Sequence, residues 1–294
     1  MIHKIGLGTV QFGADYGIAN ANGKVEQEEV FRILEYAGLH EIDFLDTAYS
    51  YGESEKVLGE FIQRNNFLFN IISKIPSLDQ GFSGKIEEIL LKSLNCLKVK
   101  NIYGYLIHKF EDYVSQKDLW EQMKDLKAKG TVKRIGFSLY SLEELEMLFS
   151  QNVQFDILQV PFSLFDRRFS VYFKKLKAMG VEIHVRSVFL QGLAFLNPED
   201  LPVNLRNAKE YILRLRRIAF ESKSSISSIC LNFALLNPYV DKVIIGIDSL
   251  DQLKSNIEDI KSIKKVERIL NMLDDLEIKD EEIILPYKWT KVKA

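Results

Sequence analysis

A single closed (β/α)8 barrel spanning residues 1–294 is the fold this sequence predicts. Three observations point to it: short β-branched apolar runs alternate with amphipathic stretches, the first strand–helix junction lacks a dinucleotide-binding glycine pattern, and no Pro- or Ser-rich linker divides the chain. Repeated strand–helix alternation means a parallel sheet with helical crossovers. A doubly wound sheet and a closed barrel both satisfy it. A dinucleotide-binding doubly wound unit normally shows G-x-G-x-x-G at its first junction. "GLGTVQFG" at 6–13 has glycines at 6, 8 and 13 and no helix directly after it, so the barrel is favoured. The length of 294 residues suits one such barrel.

The strands follow in order as "IDFLDTA", "FNIISKI", "IYGYLIH", "VKRIGFS", "FDILQVPFS", "VEIHVRS" and "DKVIIGI", after the amino-terminal run ending at Gly8. Between them, Val57, Leu58, Phe61 and Ile62 form one helical face in 55–65, with Ser54 placed to cap its start. Ile86, Ile89, Leu90, Leu94 and Leu97 do the same in 83–97, as do Leu119, Met123 and Leu126 in 115–129, where Gly130 is a helix stop. "SLEELEMLF", "YFKKLKAMG" and "YILRLRRIAF" continue the pattern, with Leu213, Leu215 and Ile218 assigned to the core. Residues 278–294 read as a tail lying over the surface.

Composition narrows the function. The formal net charge is -2, with 39 basic and 41 acidic residues interspersed, so no electrostatic footprint for nucleic acid or anionic membrane exists. No apolar run is long enough to span a bilayer, and the start lacks the apolar stretch of a signal peptide. Cys96 and Cys230 both read as buried free thiols, which suits a reducing, cytoplasmic compartment. His3, His40 and His184 read as structural. No metal is expected, because the clustered histidines and carboxylates of a metal hydrolase are missing.

Barrels place their chemistry at the carboxyl ends of the strands. The residues there are Asp46, Lys74 and His108, with Tyr51 in the loop after Asp46. An ammonium beside a phenol stabilises the phenolate and lowers its pKa. A buried lysine needs a carboxylate to keep its proton, and Asp46 can supply one. A neighbouring imidazole can orient a carbonyl or relay a proton. The product is a tuned general acid aimed at a developing alkoxide. Each residue also has a plainer reading: an Asp that caps a turn, a Lys in an exposed loop, a Tyr packing the rim, a structural His. Delivery by successive strands to one end favours the joint reading.

"GTVQFG", "DTAYSYGESEKVLG", "SK" and "IHKFED", in that order, resemble the motifs of the aldo-keto reductases, which are (β/α)8 barrels using a nicotinamide cofactor. The resemblance continues through "VKRIGFS", "ILQVPFS", "RSVFLQGLA" and "IIGIDSLDQLKSN". It implies that Asp46, Tyr51, Lys74 and His108 are the catalytic tetrad, with Tyr51 the proton donor. It implies NADP(H) or NAD(H) as cofactor and a small-molecule carbonyl compound as substrate. Ser138 and Gln159 would hold the nicotinamide carboxamide. Ser187, Phe189, Gln191 and Gly192 would wrap the pyrophosphate, and Asn256, opening the last barrel helix, would meet the adenine.

Three departures from the family pattern stand out. Leu139 replaces the Asn that usually follows the serine, removing one carboxamide hydrogen bond, about 1 kcal/mol. Arg186 stands where an aromatic ring usually stacks on the nicotinamide; it either fills that stacking site or contacts an anionic substrate group with its planar fork. The segment from Gly246 to Gln252 carries no Lys or Arg, whereas NADP-preferring members are basic there. Asp248 would repel a 2′-phosphate and accept hydrogen bonds from a free ribose diol, so Asp248 and Gln252 join the expected cofactor contacts with a leaning towards NAD. The resemblance is nearest to members of bacterial carbohydrate pathways, which suggests a sugar or sugar-nucleotide substrate. The rival reading is a cofactor-binding regulatory subunit with vestigial activity; a third uses bound cofactor for internal redox on a sugar.

Overall fold

A computed structural model describes residues 1–17, 20, 23–78 and 85–289. Its elements are β1 (Ile5–Gly8), α1 (Gln27–Leu39), β2 (Phe44–Asp46), α2 (Ser54–Arg64), β3 (Asn70–Lys74), α3 (Ile86–Leu97), β4 (Ile102–Ile107), α4 (Phe110–Ser115), α5 (Leu119–Ala128), β5 (Val132–Ser138), α6 (Leu142–Ser150), β6 (Ile157–Pro161) and α7 (Ser170–Ala178). There follow β7 (Glu182–Arg186), α8 (Lys209–Ser222), α9 (Ile226–Leu236), β8 (Lys242–Gly246), α10 (Leu250–Ile260), α11 (Ile263–Glu267) and α12 (Glu281–Ile284). The eight strands close in sequence order into a parallel barrel, with β8 returning to β1 from Ile5↔Val243 to Gly8↔Gly246. The expected fold class is the observed one.

Strand periodicity explains how the barrel interior is organised. Alternate side chains point inward, so Phe44, Ile72, Leu106 and Ile157 fill an apolar layer together with Ile244. Two residues further along the same strands come Asp46, Lys74, His108 and Gln159. A polar layer therefore sits directly above an apolar one, at the carboxyl ends. The second apolar compartment lies between strands and helices, and one contiguous cluster runs there from Ile5 to Trp289. Each aliphatic side chain buried in it contributes about 1.5–3 kcal/mol.

Two glycines bring segments close enough to shape the site. A Cβ at Gly13 would lie 1.9 Å from the Tyr51 carbonyl oxygen and 2.4 Å from the Ser54 nitrogen. Only hydrogen at that position lets the loop after β1 rest against the turn that carries Tyr51. A Cβ at Gly59 would lie 1.9 Å from the Cys96 carbonyl, so α2 and α3 approach backbone to backbone there.

Several local expectations need correction. Ser54 does not cap α2; Glu53 holds that position, and the Ser54 hydroxyl is buried, donating to Thr9 Oγ1 at 2.8 Å. Cys96 is exposed, because it lies on the outer face of α3, while Cys230 is buried. Leu213 is 45 % exposed on the outer face of α8, whereas Leu215 and Ile218 are core. The carboxyl-terminal segment is anchored rather than draped. Ile278, Ile283, Ile284, Leu285 and Trp289 are buried, and the Ile278 amide donates to the Phe165 carbonyl at 2.8 Å. Residues 290–294 of that expected tail lie outside the described residues. No described helix is long and apolar enough to cross a membrane.

Candidate active site

The polar layer centres on Asp46 and Lys74, the last residues of β2 and β3. Lys74 Nζ donates to Asp46 Oδ2 at 2.8 Å and to the Thr47 carbonyl at 2.9 Å, and the Lys74 side chain is 1 % exposed. A lysine this deep is desolvated, which lowers its pKa; the Asp46 carboxylate acts against that. The plain reading of Lys74 as an exposed loop residue is thereby excluded. From across the barrel, Gln159 Nε2 donates to Asp46 Oδ1 at 2.7 Å. Both carboxylate oxygens are thus engaged, and the amide orientation is forced because a carboxylate can only accept. Gln159 Oε1 is left without a protein partner.

Tyr51 and His108 complete the group. The Tyr51 hydroxyl stands 3.5 Å from Lys74 Nζ, and its ring meets His108 edge-on at 6.0 Å between centroids. Ser50 Oγ lies 3.5 Å from His108 Nδ1. Burial first, then the positive charges of Lys74, Arg186 and Lys109, hold the His108 pKa down to about 3. The imidazole is neutral throughout the physiological range.

The tuning of Tyr51 differs from the expectation. Its pKa is raised, not lowered: burial is the largest cause, and the Asp46 charge and Tyr140 add to it. The physical reason is that Lys74 is committed to Asp46, so the pair presents little net positive charge to the phenol. Arg186 acts in the opposite direction. Tyr51 and His108 keep part of their surface open to a cavity, so water reaching them moderates this burial. At neutral pH the phenol holds its proton.

That cavity, about 600 Å³, opens at the carboxyl end of the barrel and joins most of the expected site residues. Asp46, Tyr51, His108, Ser138, Gln159, Arg186, Ser187, Phe189, Gln191, Gly192, Asp248 and Gln252 all line it. Ser138 and Gln159 are register partners on β5 and β6, both buried. After β7, Ser187, Leu190, Gln191 and Gly192 all adopt positive φ, which turns this loop over the cavity. There Gln191 Nε2 donates to the Tyr16 hydroxyl at 2.9 Å, tying it to the loop after β1. A side chain at Gly246 would meet Gln11 Nε2 at 2.6 Å, so glycine keeps the floor near β8 open.

Asn256 is the exception. It lies in the second turn of α10, not at its opening, and it does not line the cavity; Ser249 caps the helix by accepting from the Gln252 amide. Asn256 is buried, with Nδ2 unpartnered. Asp248 is half-buried, with its Oδ1 unpartnered and its pKa raised by burial. Lys254 pairs with Asp251 at 3.5 Å and stands 5.8 Å from the Tyr36 ring, away from the cavity.

Sequence reasoning missed Tyr140. The Arg186 guanidinium carbon lies 4.1 Å from the centre of the Tyr140 ring, and Arg186 Nη2 donates to the Leu139 carbonyl at 3.1 Å. Tyr140 is held in turn by its own amide, which donates to Glu144 Oε2 at 2.7 Å, and by edge-on contact with Tyr287. Its place two residues beyond a strand end was the available signal. Gln11 and Tyr16 do line the mouth, whereas Tyr49 and Asp15 do not. Among the described residues, no group of three or more His, Cys, Asp or Glu is placed to hold a metal.

The model of the "Aldo/keto reductase family" matches residues 4–278. The chain is 27% identical over 280 residues to "Uncharacterized oxidoreductase YqkF" of Bacillus subtilis, covering 87% of each. Among solved structures, it resembles aldo-keto reductase AKR11C1 from Bacillus halodurans in its holo form, with TM-score 0.72 and 20% identity over 95% of this chain and 94% of that one. It also resembles Gox0644 in complex with NADPH, with TM-score 0.69 and 17% identity over 94% of this chain and 90% of that one.

Proposed function

The chain belongs to the aldo/keto reductase family, and from that premise we propose that it reduces an aldehyde or ketone to an alcohol with NAD(P)H, using Tyr51 as the proton donor. The observation that carries this reading is the Tyr51 hydroxyl standing 3.5 Å from a fully buried ammonium, Lys74 Nζ, beside a cavity of about 600 Å³.

The residues present fit a nicotinamide cofactor. Gln159 Oε1 and Asp248 Oδ1 are buried polar atoms without protein partners on the cavity wall. Ser138 and Gln159 would hold the carboxamide end, the positive-φ loop Ser187–Gly192 the phosphates, and Asp248 and Gln252 the adenosine ribose. Arg186 borders the nicotinamide end. Asn256 would reach the adenine only by turning its buried amide toward the cavity. Bound there, the cofactor supplies a hydride to the carbonyl carbon. Tyr51, which holds its proton at neutral pH, donates it to the carbonyl oxygen as negative charge develops there. Lys74 hydrogen-bonds the phenol oxygen and stabilises the phenolate left behind, while Asp46 keeps Lys74 charged. His108, neutral, offers a hydrogen bond that orients the carbonyl oxygen without adding charge.

A sugar or sugar-nucleotide carbonyl is the substrate class this reading favours. Tyr16, Asn20 and Gln11 give the mouth hydroxyl and amide groups suited to a polyhydroxylated compound. Loss of reduced-nicotinamide absorbance with a panel of aldoses, ketoses and simple aldehydes tests the reading. Turnover that is abolished in Tyr51→Phe is the expected result; retained turnover in that variant would refute the role given to Tyr51.

A further inference from the structure

We propose that Arg186 is an anion-binding subsite of this cavity, so that the favoured substrates are carbonyl compounds bearing a carboxylate or phosphate. The inference rests on the reductase reading above and adds the charge of the substrate to it.

The first support is an unbalanced charge. Within the cavity end that holds Tyr51, the ammonium of Lys74 is cancelled by Asp46 at 2.8 Å, and His108 and Tyr51 are uncharged. Arg186 remains, a fixed cation on the cavity wall. Among the described residues no carboxylate forms an ion pair with it; its printed partners are the Leu139 carbonyl at 3.1 Å and Ser187 Oγ at 3.4 Å, both neutral. The carboxylate whose charge it feels, Glu144, is engaged with the Tyr140 and Ser141 amides through the α6 capping box. A partly buried guanidinium is ordinarily matched by an acid, because removing it from water without one is costly. The missing acid is what an anionic ligand supplies.

The second support is preorganisation. Tyr140 covers the guanidinium at 4.1 Å, and Leu139 accepts one of its five donors. Glu144 fixes the Tyr140 backbone, and Tyr287 of the carboxyl-terminal segment braces its ring. A guanidinium held this way presents its remaining donors in a fixed fork, the geometry that carboxylate and phosphate oxygens match. Its distance to the reacting group is short enough for its charge to act on Tyr51, Lys74 and His108 alike. An anionic substituent bound there therefore lies within one small molecule's length of the carbonyl that Tyr51 protonates. The other carboxylate on the cavity wall, Asp248, follows β8, beyond this group.

The test compares matched pairs: succinic semialdehyde against butanal, and glyceraldehyde phosphate against glyceraldehyde. A charge-assisted contact of this kind corresponds to a preference of about 10- to 100-fold. We expect the wild-type protein to prefer the charged member of at least one pair in kcat/KM by that factor, the pair identifying carboxylate or phosphate. The ratio should fall towards unity in Arg186→Gln and be partly restored in Arg186→Lys. A wild-type ratio of one or less in both pairs, or an unchanged ratio in Arg186→Gln, overturns the proposal. Calorimetric binding of succinate and of inorganic phosphate in the presence of reduced cofactor separates the two readings. If none of the four carbonyls is turned over yet anion binding depends on Arg186, the reductase reading fails and the subsite stands. If turnover occurs while anion binding is equal in wild type and Arg186→Gln, the subsite fails and the reductase reading stands.

Discussion

Gln159, on β6, donates its side-chain amide to Asp46, on β2, at 2.7 Å, spanning the barrel mouth to hold the carboxylate that holds Lys74. Removing that donor leaves a buried carboxylate oxygen unsatisfied. Gln159→Leu should lower stability by about 1–3 kcal/mol and weaken binding of the reduced cofactor, because Gln159 Oε1 is lost as well. Denaturant titration and fluorescence titration with NADH measure the two effects.

The buried ion pair itself should be strongly coupled. Lys74→Met strands Asp46 in the interior and should cost about 3–5 kcal/mol. Adding Asp46→Leu removes the stranded charge, so the double variant should be less destabilised than the sum of the two single ones. Additive losses in urea unfolding would contradict the pairing.

Tyr51→Phe should reduce kcat by about 100- to 10,000-fold, the range a general acid contributes, while the Kd for reduced cofactor changes little. The removed atom is the hydroxyl oxygen 3.5 Å from Lys74 Nζ. Single-turnover oxidation of bound cofactor isolates this step from product release.

The pH response follows from two depressed pKa values. His108 is held at about 3 against an ordinary 6.5, and Glu182, bonded by Tyr103 and close to Arg134 and His184, at about 2 against 4.5. In both cases the unfolded chain binds a proton that the folded chain lacks. Stability is therefore full above about pH 6.5 and falls as pH drops, first through the His108 window and then below 4.5 through that of Glu182. Thermal unfolding between pH 7 and pH 3 should show this decline, with its upper part reduced in His108→Asn. For the same reason kcat/KM should show no inflection from His108 between about pH 5 and pH 8.

Cofactor preference should lean towards NADH. The only cation among the cavity-lining residues is Arg186, at the Tyr51 end, and Lys254 is turned to Asp251. A 2′-phosphate beside Asp248 would meet a carboxylate and no described base. Fluorescence titration should give a Kd for NADH equal to or below that for NADPH, and Asp248→Asn should shift the ratio towards NADPH.

The catalytic group was legible because three of its members end strands. Asp46, Lys74 and His108 each follow an apolar run whose alternation sets their inward direction, so the sequence carries both position and face. Tyr51 was legible through the motif around it. The Asp46–Gln159 bond was not, because the two residues are 113 apart in the chain and on strands that do not pair. Tyr140 lay in a loop without periodicity, and nothing in its neighbours marks it as the platform for Arg186. The direction of the Tyr51 pKa shift was misjudged for a related reason: charge pairing within Lys74–Asp46 depends on distances that no spacing reveals.

By itself, the sequence determined the barrel, the order of its strands and the set of polar residues at their carboxyl ends. Those follow from apolar periodicity, which is local and written directly in neighbouring residues. Only the tertiary structure decided which charges cancel and which remain. Lys74 and Asp46 neutralise one another, Glu144 is occupied by backbone amides, and Arg186 is left facing the cavity without an acid. Electrostatic balance depends on separations of a few ångströms between distant strands, and chain closure creates those separations.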